Sequence, residues 1–180
     1  MKPLLRTLLP VLFFISLTHV VRADGGYSFD VTCDQKKLEA KAGADGIGVT
    51  RKKEIWGYKV AIVNRSFKDA SNVEIRYISF MKPDEAGERT PGGPAVLKRS
   101  PEGNVKVPLI KNLEKYEFAT EPMTLISTQL KPGYIWASGA NQTSRDVLRG
   151  LWLRIFIDGQ QVSEFFTPAS LKDREKWDNK

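Results

Sequence analysis

The chain has 180 residues, with 28 Lys and Arg against 21 Asp and Glu, a net charge of +7, one histidine and one cysteine. The histidine, His19, falls in an N-terminal leader, so the remaining chain has no imidazole and Cys33 is its only thiol. Ser-His-Asp and Cys-His catalysis and zinc sites built on several His or Cys are thereby excluded, and no internal disulfide can form.

The leader is MKPLLRTLLPVLFFISLTHVVRA, with Lys2 and Arg6 ahead of an apolar run from Leu8 to Leu17 and a small residue, Ala23, at its end. This is the pattern of a secretory signal peptide over 1–23. The run is too short to span a bilayer, which takes about 20 apolar residues. No later stretch is apolar enough, so no stable membrane insertion is expected after cleavage. The expected location is secreted or periplasmic, with 24–180 as a single β-sandwich domain. Without Lys2, Arg6 and Arg22 the balance is 25 basic to 21 acidic residues, or +4. That excess is too small and too dispersed for a nucleic-acid partner, while the cluster Lys36, Lys37, Arg51, Lys52 and Lys53 is open to an acidic surface partner. No cofactor is expected, and the chemistry available is that of a protein or glycan binder.

Along the chain, YSFDVTC (27–33) alternates Tyr27, Phe29, Val31 and Cys33 with polar residues, which predicts a half-buried strand holding a buried thiol. Residues 36–53 read as a loop, with at most a short strand near 37–42. From Glu54 to Asn64, Trp56, Tyr58, Val60 and Ile62 share one face, and Ile55, Ala61 and Val63 make the other partly apolar. A central strand is expected there, forming a hairpin with Val73–Phe80 through a polar turn whose Phe67 caps the core. Residues 82–94, with three prolines and three glycines, form a loop. Short strands follow at 95–98, 104–110 and 115–120. Residues 123–130 are either strand or helical turn, and 137–146 are a polar loop. Asp158-Gly159 between two apolar runs predicts a type I′ hairpin of 151–157 with 160–166. The tail PASLKDREKWDNK carries a short helix, with Ser170 and Asp173 spaced as a capping box and Trp177 free to dock.

Seven to nine short strands at regular intervals predict an all-β antiparallel sandwich with a short C-terminal helix. "LIKNLEKYEF" places Tyr116 as in the tyrosine corner of fibronectin type III and immunoglobulin-like sandwiches. Together with "GYKVAIVNRSF", "NVEIRYISF", "LKPGYIWASG", "LRGLWLRIFIDGQQVSEF" and "LKDREKW", the chain resembles an uncharacterised family of exported bacterial proteins of the Verrucomicrobia and Planctomycetes type. The resemblance implies an immunoglobulin-like fold and supplies no activity.

Trp56, Tyr134, Trp136 and Trp152 are candidates for an aromatic platform on which sugar rings stack. The alternating strand positions of Trp56 and Trp152 favour core packing, which leaves Tyr134 and Trp136 beside the polar loop SGANQTSRD. The candidate ligand-binding residues are Tyr134, Trp136, Asn141 and Arg145; Thr143 and Asp146 of the same loop could also hydrogen-bond a ligand, although a solvated connector is the plainer reading of it. Asn64-Arg-Ser66 and Asn141-Gln-Thr143 match the N-glycosylation pattern. No carboxylate spacing points to a glycosidase and no calcium-loop motif occurs, so a non-catalytic binding or structural module is expected. A carbohydrate-active enzyme and a cell-envelope subunit are the alternatives.

Overall fold

The structure, a computed structural model, describes residues 26–41, 43, 45–87 and 96–177; the expected signal peptide over 1–23 and the middle of the proline-glycine loop lie outside them. Eleven strands and one helical turn are present among the described residues: β1 (Phe29–Lys41), β2 (Asp45–Gly46), β3 (Val49–Asn64), β4 (Ala70–Lys82), β5 (Lys98–Arg99), β6 (Gly103–Ile110), β7 (Lys115–Ala119), β8 (Met123–Leu130), β9 (Thr143–Arg145), β10 (Val147–Ile157), β11 (Gln160–Thr167) and α1 (Leu171–Arg174). The strands form two antiparallel sheets packed face to face. One has the order β1-β3-β8-β9, with β2 and β7 also on β3; the other runs β11-β10-β4-β5, with β6 also on β4. The excess over the expected strand count comes from β2, β5 and β9, of two, two and three residues.

The core is made by the inward faces of both sheets. Phe29 and Val31, then Tyr58, Val60 and Ile62, meet Val73, Ile75 and Tyr77 and the alternate residues Leu151, Leu153 and Ile155, all buried. Tyr27 and Cys33 pack against this cluster at its margin. Residues 123–130 are a strand, and Asp158 and Gly159 have φ of 49° and 79°, the two positive values a type I′ turn needs.

The first expected hairpin does not exist. β3 and β4 belong to different sheets, each flanked by strands on both sides, and the segment between them crosses the sandwich. Its corner is organised by Asn64, which is fully buried. The Asn64 amide donates to the carbonyls of Lys68 and Ile110, and its oxygen accepts from the Ser66 N–H. Ser66 Oγ accepts from the Ser28 N–H, tying the corner to the start of β1. With the corner closed by polar groups, Phe67 is turned fully outward and caps nothing. The same burial removes Asn64 as a glycosylation acceptor.

Residues 36–53 are not a loop, since β1 runs on to Lys41 and pairs with β3 as far as Lys53. Past Gln35 both faces of β1 are exposed, so the alternation that marks a half-buried strand vanishes while backbone pairing continues. The 137–146 loop likewise contains β9, paired with β8. The tyrosine hydroxyl that reaches across the sheets is that of Tyr77, which accepts from the Glu121 N–H at 3.0 Å; Tyr116 stacks on Phe118 instead.

A second, smaller core lies on the outer face of the β4-β10-β11 sheet. Ile78, Phe80 and Trp152 are covered there by Leu171, and Trp177 meets Trp152 edge-on at 5.7 Å. The helix that delivers Leu171 is four residues long, and Ser170 makes no side-chain cap, so the expected capping box is absent. Burial of Leu171 holds this turn in place.

Candidate functional site

On β3 the residues that alternate with the outward face continue N-terminally from Ile62, Val60, Tyr58 and Trp56 to Glu54, Lys52 and Thr50. The register carries this face across the sheet. Thr50 lies opposite Gln129 of β8, which lies opposite Thr143 of β9; Lys52 lies opposite Ser127, which lies opposite Arg145. Cross-strand partners point to the same side of a sheet. Two rows of three polar side chains therefore stand where the facing sheet no longer supplies apolar partners. They line a groove of about 310 Å³, closed on one side by Asp84 from the segment after β4.

The groove is braced by carboxylates. Asp146, buried, accepts from the Ile126 N–H at 2.9 Å through one oxygen and from the Asp84 N–H at 3.0 Å through the other. Asp84 in turn accepts from the Arg145 N–H at 3.0 Å. One chain of charge-assisted bonds thus fixes β8, β9 and the β4 exit relative to one another. At the inner end, Glu54 accepts from Lys37 and, at 3.0 Å, from the Trp56 indole N–H, and lies 3.4 Å from the Arg145 guanidinium. These donors hold its carboxyl below the ordinary carboxylate range, the Lys37 bond contributing most and the Trp56 bond next.

The segment between β8 and β9 clasps both ends of the groove wall. The Lys131 N–H donates to the Gly48 carbonyl, and the Tyr134 ring covers Gly48, where an added Cβ would come within 2.4 Å of it. Gly48 has φ +70°, so no other residue fits this turn without both strain and collision. Trp136 packs on Gly87 in the same way, with a Cβ there 3.1 Å from the indole, and Ser138 Oγ donates to the Gly87 carbonyl.

Of the four residues expected at a ligand site, Arg145 alone lines the groove. Tyr134 and Trp136 flank it as braces on Gly48 and Gly87, and Asn141 is exposed on the connecting loop. The four aromatic residues make no common platform. Trp152 is buried in the second core, and Trp56 packs on the main core with its N–H on Glu54. Thr50, Asp84, Ser127 and Gln129 were not anticipated as binding residues; Thr143 belongs to the loop expected to hydrogen-bond a ligand, and Lys52 to the basic cluster open to an acidic partner. Continuing the period-two face of Trp56–Ile62 past Glu54 marks Lys52 and Thr50; their partners on β8 and β9 depend on register.

No protein-family model and no curated protein matches the chain. Among solved structures, the X-ray structure of Northeast Structural Genomics Consortium target SoR45 is similar at 12% identity and a TM-score of 0.38, over 85% of this chain and 97% of that one. At that distance the likeness carries no argument about function.

Proposed function

We propose that the chain is an exported, non-catalytic recognition module with an immunoglobulin-like sandwich, and that it binds a glycan in the groove between β3, β8, β9 and Asp84. The observation that carries this is the pair of cross-strand rows, Thr50-Gln129-Thr143 and Lys52-Ser127-Arg145, lining one rigid concavity. Hydroxyl and amide groups at strand spacing both donate and accept, which suits the vicinal hydroxyls of a sugar. Sites held on strands are also more sharply positioned than sites on loops.

The strand order supports the fold assignment. β1-β3-β8 facing β11-β10-β4-β6 corresponds to the A-B-E and G-F-C-C′ sheets of immunoglobulin domains. The leader over 1–23 supports export. Glu54, whose carboxyl is displaced downward, does not fit the role of the protonated acid that a glycosidase needs.

A glycan array and calorimetry on the mature chain test the proposal. Binding to at least one glycan is expected, weakened about tenfold or more in Gln129→Ala with Thr143→Ala, because each lost hydrogen bond to ligand is worth roughly 1 kcal/mol. A folded protein that binds no glycan, or binding unaffected by this double variant, overturns it.

A further inference from the structure

We infer that the glycan taken by this groove is a sugar acid, its carboxylate held over Ser127 between Lys52 and Arg145; the inference rests on the glycan reading above. Lys52 and Arg145 end one cross-strand row with Ser127 between them. Two strand spacings separate their backbones by about 9–10 Å. Both long side chains can close on one anion above the middle strand, and the Ser127 hydroxyl is placed to add a third donor.

The charges around them leave that role open. Glu54 is engaged by Lys37 and Trp56, and its contact with Arg145 is a single one at 3.4 Å, the long limit of a hydrogen bond. A guanidinium has five N–H donors, so one such contact occupies little of it, and the Arg145 side chain is 62% exposed. A neutral sugar filling the groove would strip water from Lys52 and Arg145 and return no counter-charge, an unfavourable exchange that a carboxylate reverses. Asp84 accepts from the Arg145 N–H at the β9 side of the groove, where a carboxylate repels an acid group but accepts hydroxyl protons. The groove thus has a cationic row for the acid and an accepting wall, with the Thr50-Gln129-Thr143 row beside it, for the hydroxyls. That division matches a molecule carrying both on one ring.

The test is calorimetry of the mature chain with oligomers of galacturonate, of mannuronate and guluronate, and of hyaluronate, each beside its methyl ester, which keeps the hydroxyls and removes the charge. At least one acid is expected to bind about tenfold or more tighter than its ester, since a charge-assisted bond is worth about 1.5–3 kcal/mol. Lys52→Gln and Arg145→Gln should each weaken acid binding far more than ester binding, so that most of the preference is lost, with the thermal midpoint in place. If acid and ester bind equally, or if only neutral glycans bind, the sugar-acid inference falls and the glycan reading stands. If no glycan of either kind binds, both fall. Displacement of the acid by acetate or inorganic phosphate at matching concentration would also overturn the inference, because it would make the row a plain anion site.

Discussion

The two halves of β3 present one continuous face, flanked on one edge by β1 as far as Lys53 and then by β2, yet have opposite fates. Between Tyr58 and Asn64 the inward residues lie against the second sheet and are buried. Between Thr50 and Glu54 the same face, without that cover, is polar and lines the groove. The partner on the other edge also changes, from β7 beside Lys59–Val63 to β8 beside Val49–Trp56. Where the partners change, the Thr120 hydroxyl accepts from the Tyr58 N–H at 2.9 Å, so the ladder is completed by a side chain. A sheet longer than its partner gives one strand both a load-carrying end and a recognising end.

Substitutions at the two ends should separate stability from binding. The largest effect is expected for Ile62→Ala. Ile62 is fully buried, and its truncation should cost about 4 kcal/mol in chemical denaturation by lost transfer energy plus cavity. If the loss were below about 1 kcal/mol, the core assignment of this half would be wrong. Asn64→Ala removes three hydrogen bonds at the corner and leaves two carbonyls and an N–H to find other partners. About 3 kcal/mol is expected, with ligand affinity of the folded fraction unchanged.

A smaller, pH-dependent effect belongs to Cys33, opposite Val60 in the buried half. Burial first, and the charge of Asp34 second, push its thiol up from 9.0 to about 11. The folded state therefore holds this proton more tightly than the unfolded state. As pH rises, the unfolded chain ionises first, so the contribution is fully present below about pH 9 and is lost by about pH 11. Stability curves of wild type and Cys33→Ala across that interval should diverge, with the wild type falling more steeply; parallel curves would count against a thiol shielded at the margin of the core. The smallest stability effect is expected for Lys52→Gln in the groove half, within about 0.5 kcal/mol of wild type. A loss of 2 kcal/mol there would mean that the two halves do not differ as described.

Much of the fold was legible because it is written locally. Alternation from Tyr27 to Cys33 and from Trp56 to Ile62 marks faces, and Asp158-Gly159 marks a turn whose φ values few other pairs adopt. Trp177 in the tail was legible as a docking residue because a large aromatic ring gains by burial. The candidate site was legible at Arg145 and Thr143, and at Lys52 only as one of a basic cluster, with Tyr134 and Trp136 marking its neighbourhood. Lys52 and Thr50 are invisible to a search for apolar alternation, because the period continues there in polar residues.

The sequence by itself determined the secondary-structure class, the single thiol and the absence of imidazole after His19, since composition and short-range periodicity need no partner to be read. Tertiary structure decided that β3 and β4 part into different sheets. That depends on Asn64 finding the Ile110 carbonyl 46 residues away. It also decided that Lys52, Ser127 and Arg145 form one row, since register fixes which distant residues share a face and nothing within a single strand encodes it.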